Sequence, residues 1–257
     1  MVRSLYTAST GMAHQMARLD VITNNLANSD TTAYKKEGST SQSFDAVYAI
    51  KINDSSVNYL HQPIGRLSLG VKVGETYTDY SDGNLEETGH VYDVALGGKG
   101  FFAISYADRN GEESVRYTRD GNFTVNSEGI LMTKDGDFVL GEDDGLIYIP
   151  EGVKVAIDEA GRITGDGMEL GALKIVDFED YNYLKKFGEN MYIATDGATE
   201  TAPQARVFQG YLESSNVNVI SEMVEMITVT RDYESNQKVI QAVDSTLEKS
   251  VSLGRII

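Results

Sequence analysis

The sequence predicts a mainly β protein with a long α-helix at each end, and three observations lead to this fold class. Within residues 70–211, which hold 21 of the 25 glycines, short apolar runs alternate with turn residues. Residues 1–35 contain one glycine and no proline, and their apolar side chains recur at steps of three and four. Residues 214–254 return to the same helical spacing. We therefore expect two terminal helices and a central all-β domain.

Changes in composition and in apolar spacing divide the chain into four segments. We expect an N-terminal helical assembly region at residues 1–35 and an extended connector with some short strands at 36–69. A central acidic β domain should follow at 70–213, and a C-terminal helical assembly region at 214–257. In the β domain, Asp-Gly pairs at 120–121, 135–136 and 166–167 predict tight hairpin turns, because glycine adopts a positive φ without steric strain.

Each terminal helix carries an apolar seam that needs a partner. The seam residues are Leu5, Met12, Met16, Leu19 and Leu26 in the first helix, and Met223, Met226, Tyr233, Ile240 and Leu247 in the second, with a neighbouring stripe through Ile227. About 35 helical residues span roughly 50 Å. Such a helix buries its seam against the other helix of the chain or against helices of other subunits. The seams therefore predict a coiled-coil or bundle core.

Three asparagines stand where the first helix is expected to end: Asn24, Asn25 and Asn28. Asparagine is unfavourable inside a helix because its amide competes for backbone hydrogen bonds. One interpretation is that these amides cap free carbonyls and bond to neighbouring subunits. The other is that they only end the helix, and the sequence leaves both interpretations open.

Charge and composition exclude several classes of partner. Residues 70–213 carry 12 basic and 28 acidic side chains, a net charge of −16, whereas both ends of the chain are nearly neutral. This acidity argues against nucleic acid and anionic membranes as partners. We expect no membrane insertion, because no apolar run approaches the roughly 18–20 residues of a span. We also expect no cleaved signal peptide, because the first residues lack an apolar run of the required length.

Residues that could perform catalysis are scattered. The chain has no cysteine, its three histidines stand in no metal-binding spacing, and no G-x-S-x-G motif occurs. Acidic clusters at 142–144 and 177–180 leave two alternatives open, a cell-wall enzyme with paired carboxylates and a calcium-dependent adhesin. We expect a structural protein with no catalytic residue, no metal and no cofactor.

Motifs at both ends of the chain resemble those of a known family. STGM at 9–12, D-x-I-x-N-N-x-A-N at 20–28 and Tyr34-Lys35 are similar to the N-terminal signature of flagellar basal-body rod and hook proteins. DGNLEETGHVYDVALGGKGFFAI at 82–104 and YTRDGNFTVNSEGIL at 117–131 resemble the family's β domain. QGYLESSNVNVISEMVEMITVTRDYESNQKVIQ at 209–241 resembles its C-terminal signature. One departure is Ala33, where the family usually has glycine.

The resemblance implies an axial structural subunit of the flagellar rod, with another rod or hook protein as the alternative. In such a subunit the terminal helices pack in the core of a helical tube that transmits torque from motor to hook. The implied partners are copies of the chain, neighbouring rod and hook proteins and the flagellar type III export apparatus. The implied location is the extracytoplasmic basal body. Arg231 and Tyr233 match the C-terminal signature and would contact neighbouring subunits.

Overall fold

A computed structural model describes residues 2–52, 61–108 and 113–254 and confirms a mainly β fold with a long helix at each end. Helix α1 spans Val2–Ala27 and helix α2 spans Val219–Gly254. The first strands are β1 (Glu37–Ser43), β2 (Val47–Ile52), β3 (His61–Leu67), β4 (Val71–Thr78), β5 (Leu85–Glu87), β6 (Val94–Gly97), β7 (Phe101–Ala107), β8 (Glu113–Thr118), β9 (Phe123–Val125) and β10 (Leu131–Thr133). The remaining strands are β11 (Phe138–Val139), β12 (Val155–Ile157), β13 (Arg162–Gly165), β14 (Met168–Ala172), β15 (Ile175–Phe178), β16 (Leu184–Phe187), β17 (Met191–Ala194), β18 (Glu200–Thr201), β19 (Arg206–Gln209) and β20 (Tyr211–Glu213).

The chain forms two compact units. The helical unit comprises Met1–Ala27, Glu37–Asp79 and Asn218–Ile257, and the β unit comprises Asn28–Lys36 and Tyr80–Val217. Most of the segment expected as an extended connector thus consists of strands β1–β3 in the helical unit. The four-segment division of the sequence stays a prediction.

The helical unit combines the two helices with two antiparallel strand pairs. Strand β1 pairs with β4, and β2 pairs with β3. Helix α1 packs against β1 and β4 as well as against α2. Asn218 caps α2, because its side-chain oxygen accepts a hydrogen bond from the backbone N–H of Ser221 at 3.0 Å.

The β unit is built around a nine-stranded sheet in the order β16–β17–β8–β7–β11–β10–β9, with β15 pairing to β7 and β18 to β15. Strand β7 is buried on both faces. Phe102 and Ile104 point into one apolar core, and Phe101 and Ala103 point into a second. This explains why the sequence of β7 is a continuous apolar run. Strands β12–β14 form a three-stranded sheet, and β6–β19 and β5–β20 are separate pairs.

The three Asp-Gly pairs have different roles. Asp166 and Gly167 both have positive φ, at 49° and 86°, and form the predicted two-residue hairpin turn between β13 and β14. Gly136 also has a positive φ, of 103°. The prediction of a hairpin at Asp120-Gly121 is wrong, because β8 pairs with β7 and β17 and not with β9. Glycine is required there because a Cβ on Gly121 would lie 1.6 Å from the carbonyl oxygen of Val94.

Ala33 has a φ of 56° and is buried. Its backbone N–H donates to the carbonyl of Glu213 at 2.8 Å. The left-handed conformation costs a residue with a Cβ roughly 1–2 kcal/mol. Ala33 therefore stands in place of the family's usual glycine at a position where the backbone conformation favours glycine.

We predict that Gly121→Ala lowers the free energy of unfolding of the β unit by about 3 kcal/mol, because the new Cβ meets a backbone oxygen that no side-chain rotation can move. The matched control is Gly145→Ala, at an exposed position where nothing lies within 4 Å of the added Cβ. Urea unfolding followed by tyrosine fluorescence measures both variants. Equal stability of the two variants would contradict the close approach at Gly121.

Candidate assembly surface

Helices α1 and α2 lie antiparallel and contact each other over one face of each helix. Arg18 Nη2 pairs with Glu225 Oε1 at 2.6 Å, and Gln15 Nε2 donates to Asp232 Oδ2 at 3.3 Å. Gly11 lies against Asn236, whose amide nitrogen would be 3.1 Å from an added Cβ. The buried residues of the two helices are Ala8, His14, Ile22 and Asn25 on α1, and Glu222 and Val229 on α2. His14 faces Ser41 of β1, and Asn25 contacts Glu222 of α2. The contact between the helices is therefore substantially polar.

The apolar seam of α1 and the first part of the seam of α2 lie beside this contact rather than at its centre. On α1, the buried residues stand about one position before the seam residues. One position corresponds to a rotation of about 100° around the helix, so the buried face and the seam are different faces. Met16 is 59% exposed, and the other seam residues of α1 are half-buried, namely Leu5, Met12, Leu19 and Leu26. On α2, Met226 and Ile240 are half-buried and four residues are exposed, namely Met223, Ile227, Tyr233 and Leu247. Their role in self-assembly stays a prediction.

The two seams meet at one hollow between the helices. Met16 and Leu19 line it from α1, and Val229, Thr230 and Tyr233 line it from α2. Its volume is about 120 Å³ and its walls are mainly apolar. The side-chain oxygen of Gln15, which also lines the hollow, is buried without a hydrogen-bond partner. The hollow has a size and chemistry suited to an apolar side chain.

Two further apolar surfaces of α2 lie away from α1. By helical spacing, Ile220, Val224 and Ile227 stand on the side opposite Val229, and all three are exposed. Leu247 continues the inward spacing of Val229 and Ile240. It is exposed because α2 has 36 residues and α1 has 26, so the end of α2 extends past α1.

Asn25 fixes the end of α1 within the helical unit. It is 1% exposed. Its Nδ2 donates to the carbonyl of Glu37 at 2.8 Å, and its Oδ1 accepts from the N–H of Glu37 at 2.9 Å. Its Nδ2 also lies 3.3 Å from the buried carboxylate of Glu222 on α2. One asparagine thus joins α1, the start of β1 and α2, which the interpretation from sequence did not foresee.

The other predicted polar residues have different surroundings. Asn28 is buried in the β unit, where its Oδ1 accepts from Thr31 Oγ1 at 3.1 Å. Asn24 and Arg231 are exposed. Contacts of these residues with neighbouring subunits stay predictions.

A buried ion cluster in the β unit was not anticipated from the sequence. Lys35 Nζ pairs with Glu213 Oε1 at 2.5 Å, and Arg119 bridges Glu213 and Asp82 at 3.4 and 3.0 Å. The side chains of Lys35 and Glu213 are 1% and 0% exposed. Burial lowers the pKa of Lys35, and the Glu213 carboxylate opposes this shift. Removing one member of such a pair typically costs about 3–5 kcal/mol, because the other charge stays buried.

The acidic clusters of the β unit are engaged in local contacts. Asp144 pairs with Lys174 at 2.5 Å, and Asp177 Oδ1 accepts from the Tyr181 hydroxyl at 2.8 Å. Over residues 2–52, 61–108 and 113–254, no group of three His, Asp or Glu side chains is placed to hold a metal ion. In the same ranges, no helix is long and apolar enough to span a membrane.

Three family profiles match the chain in order. "Flagella basal body rod protein" matches residues 5–35, "Flagellar hook protein FlgE/F/G D1 domain" matches 95–165, and "Flagellar basal body rod FlgEFG protein C-terminal" matches 209–253. These profiles include the seam of α1, the core strand β7 and most of α2.

Relatives match over nearly the full length. The flagellar basal-body rod protein FlgG of Bacillus subtilis is 33% identical over 99% of this chain and 100% of its own length. FlgG of Buchnera aphidicola subsp. Schizaphis graminum is 33% identical over 97% of this chain and 98% of its own length. FlgF of Caulobacter vibrioides is 36% identical over 96% of this chain and 97% of its own length.

His14 gives the helical unit a predictable pH dependence. It is buried, its Nε2 lies 2.8 Å from Ser41 Oγ, and burial together with the nearby Arg18 lowers its pKa. The unfolded chain therefore takes up the proton first. Neutral His14 makes its full contribution to the free energy of unfolding above about pH 6.5. That contribution is lost as the pH falls below this value, and it amounts to about 1.4 kcal/mol for each unit by which folding lowers the pKa.

We predict that His14→Gln flattens this decline, because glutamine stays neutral. Melting temperatures between pH 7.5 and 5.5 test it, with His90→Gln, at an exposed histidine, as the control. The same slope in the wild-type chain and in His14→Gln would show that His14 is not the group responsible.

Proposed function

The chain belongs to the flagellar basal-body rod protein family and is a structural subunit of the rod, and from this premise we propose that it forms the distal rod. In this proposal the chain polymerises into a helical tube that transmits torque from motor to hook. The opening MVRSLYTASTGM and the SNVNV segment at 215–219 resemble those of the distal rod protein FlgG and favour this assignment. The proximal rod protein is the alternative, since the similarity to FlgF of Caulobacter vibrioides is equally high.

One observation supports polymerisation most strongly, which is the apolar flank of the helix pair. We define this flank as Met16, Leu19, Thr230 and Tyr233 together with the hollow that they line around Val229. Exposed apolar surfaces rimmed by polar residues mark sites of protein association. A helical polymer repeats one heterologous interface along its axis, so a neighbouring copy covers the same flank on every subunit.

The remaining parts of the proposal concern location and partners. We propose that the chain leaves the cytoplasm through the flagellar type III export apparatus without signal cleavage. Neighbouring rod and hook proteins then contact the ends of the polymer. A net charge of −17 keeps the exported subunit soluble before it assembles.

Enzymatic and adhesive functions are not favoured. A glycosidase needs two carboxylates about 5–10 Å apart across a substrate cleft. Asp144 and Asp177 instead bond to Lys174 and Tyr181 within the β unit. We propose that the chain has no enzymatic activity, in keeping with its family.

The assignment is tested by isolating hook–basal bodies from the source cells and quantifying this chain by mass spectrometry. Many copies per basal body are expected for the distal rod. A few copies would favour the proximal rod, and absence of the chain would contradict a rod function.

We predict that Met16→Glu sharply reduces incorporation into these basal bodies, because a carboxylate on the flank must lose its hydration when a neighbouring copy covers it. The melting temperature of the purified chain should change little, since Met16 is 59% exposed. The matched control is Met168→Glu, the same substitution at a 71% exposed methionine of the β unit. Equal incorporation of the two variants would contradict assembly through this flank.

A further inference from the structure

An arginine of the β unit is held between two aromatic rings. The guanidinium carbon of Arg116 on β8 lies 5.4 Å from the ring centroid of Tyr106 on β7 and 4.8 Å from that of Phe187 on β16. The two rings pack edge to face, with centroids 5.3 Å apart. Arg116 is half-buried as a residue, and its Nε is fully buried without a hydrogen-bond partner. These three residues form what we call the arginine clamp.

Arg116 differs from the other arginines of the β unit that the structure describes. Arg119 pairs with Asp82 and Glu213, and the guanidiniums of Arg162 and Arg206 lie within 4.0 Å of Asp158 and Glu159. Among the residues that the structure describes, no carboxylate lies within that distance of Arg116. Within the described part of the chain, the guanidinium of Arg116 thus lies against two aromatic rings and has no carboxylate partner.

A stacked guanidinium is well suited to bind a carboxylate. The aromatic rings cover the faces of the group by cation–π contact, and the two outer Nη groups, unlike the buried Nε, stay able to donate. Two parallel N–H donors match the two oxygens of a carboxylate. Because the rings already restrict the side chain, little further conformational entropy is lost when a carboxylate binds.

We propose that the arginine clamp binds a surface carboxylate of a second copy of this chain in the assembled rod, an inference that rests on the proposed function. Charge complementarity identifies the occupant. Residues 70–213 hold 28 acidic against 12 basic side chains, so the β unit of each neighbouring copy presents many carboxylates. Adjacent acidic surfaces repel each other unless a cation lies between them. The clamp supplies that cation at one fixed place and so helps to set the register between copies.

A competition experiment tests the clamp. Each variant is expressed beside the wild-type chain, and the ratio of the two in isolated basal bodies is measured by mass spectrometry. Arg116→Gln should be depleted at least about fivefold, because a charge-assisted hydrogen bond is lost at an interface. Arg116→Lys should be depleted less, since lysine keeps the charge without the planar fork. The matched control is Arg206→Gln, whose 75% exposed side chain lies 4.0 Å from Glu159.

Equal incorporation of Arg116→Gln and Arg206→Gln would overturn the inference. Melting temperatures of the purified variants show whether a depleted variant is simply unfolded. Absence of the wild-type chain itself from basal bodies would instead refute the proposed function, so the two failures are distinguishable.

A cross-linking experiment identifies the occupant while the clamp stays intact. Lys185 is exposed on β16, two residues from Phe187 and on the same face of the strand. A photo-reactive benzoylphenylalanine at position 185 should give a product of two copies of this chain in isolated rods. A product with a different protein would overturn the second copy as occupant, and so would the absence of any product.

Discussion

The two terminal helices cover only one face of each other, and the helical unit depends on how the remaining apolar surface is covered. The covered face contains few large apolar side chains, chiefly Ile22 and Val229. Met16, Ile220 and Ile227 stay exposed, and full burial of each would contribute about 1.5–3 kcal/mol. In the proposed polymer, neighbouring copies would bury this remaining apolar surface, and that burial would favour polymerisation.

Polar contacts in the helical unit join α1 to β1 and to α2. A buried asparagine or ion pair tolerates few alternative partners, so it selects one register of two helices. Asn25, which is buried, fixes the end of α1 through its bonds to Glu37 and Glu222. The partly exposed pair of Arg18 and Glu225 adds a weaker contact at the middle of α1. In the proposed polymer, this alignment would present the same flank on every copy.

The sequence predicted the β content, both helices and the family, because helical spacing, Asp-Gly turns and family motifs are local signals. It did not reveal which helix face is covered. Polar residues such as His14, Gln15 and Arg18 lie on the covered side of α1. A prediction that places only apolar residues on the covered side assigns these positions to the surface instead. The bond between Lys35 and Glu213 joins residues 178 positions apart, which no single-sequence pattern reports. Gly121 was misread because a turn and a close backbone approach both require glycine.

In the proposed rod, neighbouring copies cover the apolar flank of the helix pair, and oxidation of native methionines measures this coverage directly. Met16 and Met168 are 59% and 71% exposed in the single chain, so dilute peroxide should oxidise both in the purified subunit. In isolated rods we expect Met16 to be strongly protected, with Met168 reporting how far the reagent reaches the β unit. Oxidation of Met16 at the same rate in rods and in the purified chain would contradict the account.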